Sequence, residues 1–312
     1  MKIYCPVCTV VTDVEFVNNY EHKNKLFENK KLYQCLNCKL IFVHPMPTEN
    51  ALDEYYKKVW LNDERIIARN IYTEMTYQIQ AQERIKYLLK HNVLLDGMKV
   101  LDVGGGYGYL YDSFKEHGFN NIEYYMTDPS PDNVERLRSK GGRAFAELED
   151  VKEHEFDLVT VCFVLEHIPE PVKFLSNILE YVRDGGYVFI DLPERDDTFK
   201  PFIEPHVTVY SMASLTHLVN KLKLEMVHIT GYGIERARIK KKIDDTIPGE
   251  MTEIKGIAVI IRNLINKVKG IIKCVYLRNY KKRFAISRLY HEYKFDEEGQ
   301  DRWWIRAILR KS

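Results

Sequence analysis

Two Cys-x-x-Cys pairs, Cys5-Pro6-Val7-Cys8 and Cys35-Leu36-Asn37-Cys38, carry the clearest chemistry near the N-terminus. Two such knuckles can present four thiolates tetrahedrally, the geometry of structural zinc. Four protein ligands leave no position for water, so this zinc would hold the fold and not catalyse. Thr9 and Lys39 follow the knuckles, where a left-handed turn would favour glycine. A second constellation is Val100-Leu101-Asp102-Val103-Gly104-Gly105-Gly106-Tyr107-Gly108-Tyr109-Leu110. An apolar run enters it, an acid and alternating glycines follow, and a helical pattern leaves it. Backbone without Cβ, at a helix start with free N–H groups, can approach a small ligand closely. The dinucleotide fingerprint G-x-G-x-x-G/A does not fit. Counting from Gly104 puts Tyr109 where a small residue is needed.

The elements that position this loop alternate strand and helix from residue 98 onward, the signature of a parallel sheet. Lys99 to Val103 reads as the first strand and Tyr107 to Glu116 as its helix, with Gly118 placed to end it. Ile122 to Thr127 is the second strand, ended by Asp128. Ser130 then stands as an N-cap before Pro131 at the first helical position. Arg143 to Asp150 reads as the third strand, and Phe156 to Cys162 is the fourth. A helix from Pro171 to Val182, a turn at Asp184-Gly185-Gly186 and a fifth strand from Tyr187 to Leu192 follow. Asp128 thus sits at a strand's carboxyl end, where open α/β sheets bind ligands. Cys162, ending a strand, reads as a small core residue.

The Asp-x-Gly-x-Gly-x-Gly run resembles motif I of the class I S-adenosylmethionine (SAM)-dependent methyltransferases. Leu165-Glu166-His167 resembles that family's segment after strand four. The leader Cys38-Lys39-Leu40-Ile41-Phe42-Val43-His44-Pro45-Met46-Pro47 resembles the zinc ribbon before many bacterial methyltransferases, sugar C-methyltransferases among them. The resemblance, to the type 11/12/23 group, covers about residues 98 to 230. It implies SAM held by Asp102, Gly104, Gly106, Gly108, Asp128, Glu147, Phe163 and Val164. Asp128 would accept the ribose hydroxyls, and Glu147 would stand where an acid meets the adenine amino group. Phe202 to Ser211 is similar to the family's acceptor segment, which implies His206, with Glu204 and Tyr210, as base or acceptor contact. His167 is a further candidate base. The alternative for each histidine is a loop-fixing hydrogen bond.

The implied architecture is α/β, a Rossmann-like seven-stranded methyltransferase sheet. It carries a zinc ribbon at 1–50, a helical linker or lid at 51–95, and a methyltransferase domain at 96–312. A basic helical insertion would interrupt that domain at about 236–299. The implied function is methyl transfer from SAM to a small-molecule or sugar acceptor, as in surface-polysaccharide biosynthesis. O- or N-methylation of another metabolite or a lipid-linked glycan, and a non-enzymatic SAM-binding scaffold, stay open.

Composition sets the outer bounds. The 312 residues suffice for a large domain with additions, and the net charge of +1 gives no global argument for nucleic acid. Met1-Lys2-Ile3-Tyr4-Cys5 opens without an apolar stretch, so the expected setting is cytoplasmic, where six cysteines suggest metal or free thiols. Residues 236–283 hold 14 Lys/Arg against 4 Asp/Glu. Within them, 254–278 repeat Ile, Leu and Val at helical spacing. Such a helix could lie peripherally in an anionic membrane interface, or dock on its own domain or a second subunit.

Overall fold

The computed structural model describes residues 1–60, 71–200, 203–237 and 298–312. The basic stretch expected to form an amphipathic helix lies outside these residues. An antiparallel module opens the chain, built from β1 (Lys2–Cys5), β2 (Val10–Asn19), β3 (Lys31–Cys35) and β4 (Ile41–His44). Helices α1 (Glu49–Tyr55) and α2 (Ile71–Lys90) follow. The main unit then runs β5 (Lys99–Val103), α3 (Tyr109–Glu116), β6 (Glu123–Thr127), α4 (Pro131–Ser139), β7 (Arg143–Phe145) and β8 (Phe156–Cys162). It continues through α5 (Pro171–Leu179), β9 (Val182–Pro193), β10 (Thr208–Val209), α6 (Met212–Lys221), β11 (Glu225–Glu235), β12 (Glu298–Gly299) and β13 (Arg302–Arg310).

The large sheet has the order β12-β11-β13-β9-β8-β5-β6-β7. Strands β5 to β9 are parallel, whereas β13 and β11 are antiparallel additions at one side. The central strands are covered on both faces, which is why they read as near-continuous apolar runs. On one face Val100, Leu158, Phe189 and Ile308 pack with Ile85 and Leu88 of α2 and Phe114 of α3. On the other, Leu101, Val159, Ile190 and Ile305 share a core with Leu215 and Leu218 of α6. The seven expected strands are present, and the two-residue β12 adds an eighth beside β11. Strand order reverses between β6 and β8 on either side of β5. Their carboxyl ends therefore open a crevice there, and ligands of open sheets bind at such a switch point.

Three local expectations need correction. The turn at Asp184-Gly185-Gly186 lies inside β9, where residues 183–186 bulge between the pairs Phe156–Val182 and Leu158–Tyr187. Ser130 takes the N-cap position of α4 but its side chain makes no capping bond. Asp128 Oδ1 instead accepts from the Ser130 amide at 3.0 Å. The third strand is only three residues long and gives way to a 3-10 turn at Leu148–Asp150.

The main unit's chain enters the N-terminal module's sheet as one strand. β10 pairs with β4, Thr208 opposite Phe42 and Val209 opposite Ile41, and Val43 N donates to Val207 O at 3.0 Å. Ile203, Val207 and Val209 sit in one core with Tyr20, Phe27, Ile41, Val43, Leu52 and Tyr55. The segment after β9 is thus part of the N-terminal module's own core. No helix among the described residues is long and apolar enough to cross a membrane.

Candidate active site

The glycine loop hangs between β5 and α3. Gly104, Gly106 and Gly108 have φ of 72°, 55° and 71°, a conformation that L side chains rarely adopt. A Cβ on Gly104 would lie 2.4 Å from Val164, and one on Gly105 2.6 Å from Asp102. A Cβ on Gly106 would meet nothing within 4 Å, so this glycine faces open space. Asp102 lies beneath the loop. Its carboxylate is buried and accepts from Tyr124 Oη at 2.5 Å and Thr160 Oγ1 at 2.6 Å. Burial pushes its pKa up, against the two hydroxyl bonds that favour the charged form. Asp128, at the end of β6, ties the loop from the neighbouring strand. Its Oδ2 accepts from Gly106 N at 2.9 Å and its Oδ1 from Asn133 Nδ2 at 2.8 Å. Glu147 is exposed just past β7.

The segment after β8 crosses from this loop to a histidine cluster. Phe163 takes φ of 56°, rare for a bulky residue, and donates its amide to Asp191 O at 2.7 Å. Its ring lies 4.9 Å from the Arg84 guanidinium, which itself pairs with buried Asp191 at 2.6 Å. Val164 packs on Gly104, and three residues on, the His167 ring stands 4.8 Å from that of His206. Val207 N donates to Glu166 O at 2.9 Å, and Thr208 Oγ1 to Leu165 O at 3.2 Å. Both histidines are mostly buried, and burial lowers their pKa, so each ring is neutral near pH 7. His206 Nδ1 lies 2.8 Å from Asp196 Oδ2, the oxygen that also accepts from Lys200 Nζ at 2.9 Å. Burial opposes charge on Asp196, but Lys200 and His206 outweigh it and hold this carboxyl below the usual range. Tyr56 Oη is 2.8 Å from His167 Nδ1. Burial pushes Glu166 up to about 8.

Glu204 turns away from this cluster. Its Oε1 accepts from Tyr55 Oη at 2.9 Å and its Oε2 from the amides of Lys23 at 2.6 Å and Asn24 at 3.3 Å. It fastens the acceptor segment to the N-terminal module. Tyr210 is fully buried in the core shared with α6. Asp196 and Lys200 occupy the place expected of Glu204 beside His206. Asp196 follows β9 closely, so the same rule that singles out Asp128 at a strand's carboxyl end could have found it.

The four cysteine sulfurs gather between the module and α6. Cys5 Sγ is 3.5 Å from Cys38 Sγ and Cys8 Sγ is 3.7 Å from Cys35 Sγ. Four sulfurs at Zn–S bonds of about 2.3 Å would stand ~3.8 Å apart, so the cluster suits a tetrahedral ion. Thr9 and Lys39 take φ of 58° and 65°, and their amides return to Cys5 O and Cys35 O at 2.8 and 3.0 Å. Both knuckles therefore make the left-handed turn without glycine. A hydrogen bond from Cys38 holds Cys5 below the usual thiol range, while burial pushes Cys8 above it. From α6, Lys221 Nζ donates to Cys8 O at 2.9 Å, and His217 Nε2 lies 4.0 Å from Cys8 Sγ.

Residues 75–229 match a family model described as a methyltransferase domain. This range spans the glycine loop, Asp128 and the histidine cluster. The chain carries a class I methyltransferase domain.

Curated relatives agree with that assignment. A ubiquinone biosynthesis O-methyltransferase of Acinetobacter baylyi is 30% identical over 122 residues, covering 36% of this chain and 51% of that protein. The same-named protein of Aliivibrio fischeri is 31% identical over 121 residues, with 36% and 51% covered. The chain thus spans about half the length of the curated relatives it matches. Solved structures share the fold of the methyltransferase domain. The plantazolicin methyltransferase BamL, 12% identical, gives a TM-score of 0.51 over 83% of this chain and 94% of that one. Phosphoethanolamine N-methyltransferase 2 of Haemonchus contortus, solved with S-adenosyl-L-methionine, is 13% identical with a TM-score of 0.51, over 87% and 62%.

Proposed function

We propose that this protein transfers the methyl group of SAM to a small-molecule acceptor bound beside His206. The carrying observation is the short run Val164 to His167, whose first residue packs on Gly104 and whose last faces His206. The residues suit SAM: Gly106 faces open space, and Asp128 stands at the strand end with its oxygens toward the loop amide. SAM supplies a methyl on a sulfonium, already activated for transfer. The protein must hold a nucleophile in line and help it shed a proton. Asp196 fixes His206 by Nδ1 and favours positive charge on the ring. Nε2 then carries the lone pair left to take up a proton or a cation.

For the acceptor we favour a sugar, as in surface-polysaccharide assembly, because the cysteine leader and the 202–211 segment together resemble the sugar-modifying members. O- or N-methylation of another metabolite is the alternative. The Cys5, Cys8, Cys35 and Cys38 cluster we read as a structural zinc site, with Asn37 Nδ2 donating to Cys8 Sγ at 3.4 Å as outer support.

His206→Ala tests the reading. Loss of the activating group should lower transfer of labelled methyl from SAM into fractionated cell extract by about 10²–10⁴. SAM affinity should stay within about threefold, since no bond runs from His206 to the glycine loop. Near-normal turnover by the variant would remove His206 from the chemistry.

A further inference from the structure

Glu166, His167 and His206 each offer one ligand atom, and these three atoms lie within 4.8 Å of one another. We propose that they form a second metal site, distinct from the cysteine cluster, for a divalent transition ion of the zinc class. Two nitrogens and one carboxylate oxygen are a donor set that takes such ions and leaves a coordination position open.

The second observation is an orphan. Glu166 Oε2 is buried without a hydrogen-bond partner, and the Glu166 side chain is only 3% exposed. A buried carboxyl oxygen left unpaired is costly, and something ordinarily satisfies it. His167 Nε2 lies 4.0 Å from the other oxygen, Oε1. The outer contacts point the same way. Asp196 stands on His206 Nδ1 and Tyr56 on His167 Nδ1, each at 2.8 Å. Metal-binding histidines are commonly held by such partners at the nitrogen that does not bind the ion. Burial keeps both rings neutral, as ligands must be.

Two features compete with the ion. Lys200 brings positive charge to Asp196, and the Pro205 carbonyl bonds the His167 ring. Asp196 offsets the first. The second requires the His167 ring to exchange that carbonyl for the ion. The inference rests on the reading above only for what the ion does: it makes His206 a ligand, and the ion's charge lowers the acidity barrier of an acceptor oxygen.

The test uses the full chain and Zn²⁺ or Co²⁺ alone, with no acceptor. Wild-type protein should bind two equivalents. Cobalt at the cysteines gives thiolate charge-transfer absorption, and the second equivalent should add only the weaker bands of a nitrogen–oxygen site. Glu166→Gln, close in shape, should weaken the second equivalent at least tenfold and leave the first intact. His167→Gln should do the same, with SAM binding reporting that each variant is folded. A single equivalent in wild type at saturating metal overturns the proposal and shows that a proton or a water serves Glu166. That outcome leaves methyl transfer untouched, because the metal count is read without it.

Discussion

Replacing Cys35 and Cys38 together by serine should lower methyl transfer by more than a hundredfold while SAM affinity changes little. The cysteine cluster is far from the glycine loop in sequence, but it closes the module that holds the acceptor segment. β4 leaves the second knuckle and pairs with β10, and Val43 bonds Val207. Tyr20 Oη donates to His206 O at 3.0 Å, and Glu204 is tied to the Lys23 and Asn24 amides. Ile203, Val207 and Val209 are buried in the module's core. His206 is therefore positioned mainly by residues that the cysteines organise. Structural zinc contributes apparent free energy of about 10–16 kcal/mol in small metal-folded peptides, far above what this small core could replace. The glycine loop is framed by β5, β6 and α3; Leu101, Val103 and Tyr125 share a core with the cysteines, but Val100, Tyr124, Met126 and Phe114 pack on the opposite face in a core that holds none of the four. Activity and SAM dissociation constant, measured on the same preparation, separate the two effects. Turnover within about tenfold of wild type would show that the module does not position the acceptor segment.

Asp128→Ala should weaken SAM binding roughly a hundredfold, with fold stability largely retained. The carboxylate accepts from Gly106, Ser130 and Asn133, so it both shapes the loop and offers the charge that ribose hydroxyls would meet. Each hydrogen bond to a charged group is worth about 1.5–3 kcal/mol, a factor of roughly 10 to 150 in affinity. Asp128→Asn keeps the shape and loses the charge, so it should fall between wild type and alanine. Equilibrium dialysis with labelled SAM reads all three. Unchanged affinity in the alanine variant would move the cofactor away from β6.

Local pattern and tertiary pairing explain what the sequence made legible. The parallel strands carry continuous apolar runs, the glycines demand a left-handed loop, and paired Cys-x-x-Cys knuckles bring four thiols together. Each of these is a short-range property. The direction of Glu204 is not, because its partners are amides nearly two hundred residues earlier in the chain. The same holds for β10, a two-residue strand that exists only because β4 offers an edge. The pairing of Asp196 with His206 is tertiary in the same way, since it depends on how the turn at Asp196–Thr198 folds back beside the acceptor segment. The 183–186 bulge read as a turn because Gly185 and Gly186 are turn residues, yet β8 and β13 hold both flanks in the sheet.

The central claim is that the glycine loop between β5 and α3 holds SAM for transfer. Calorimetric titration of the zinc-loaded full chain with SAM tests it most directly. The expected result is one SAM per chain with micromolar affinity, about −8 kcal/mol, weakened by Asp128→Ala. Absence of binding by folded protein would contradict the account.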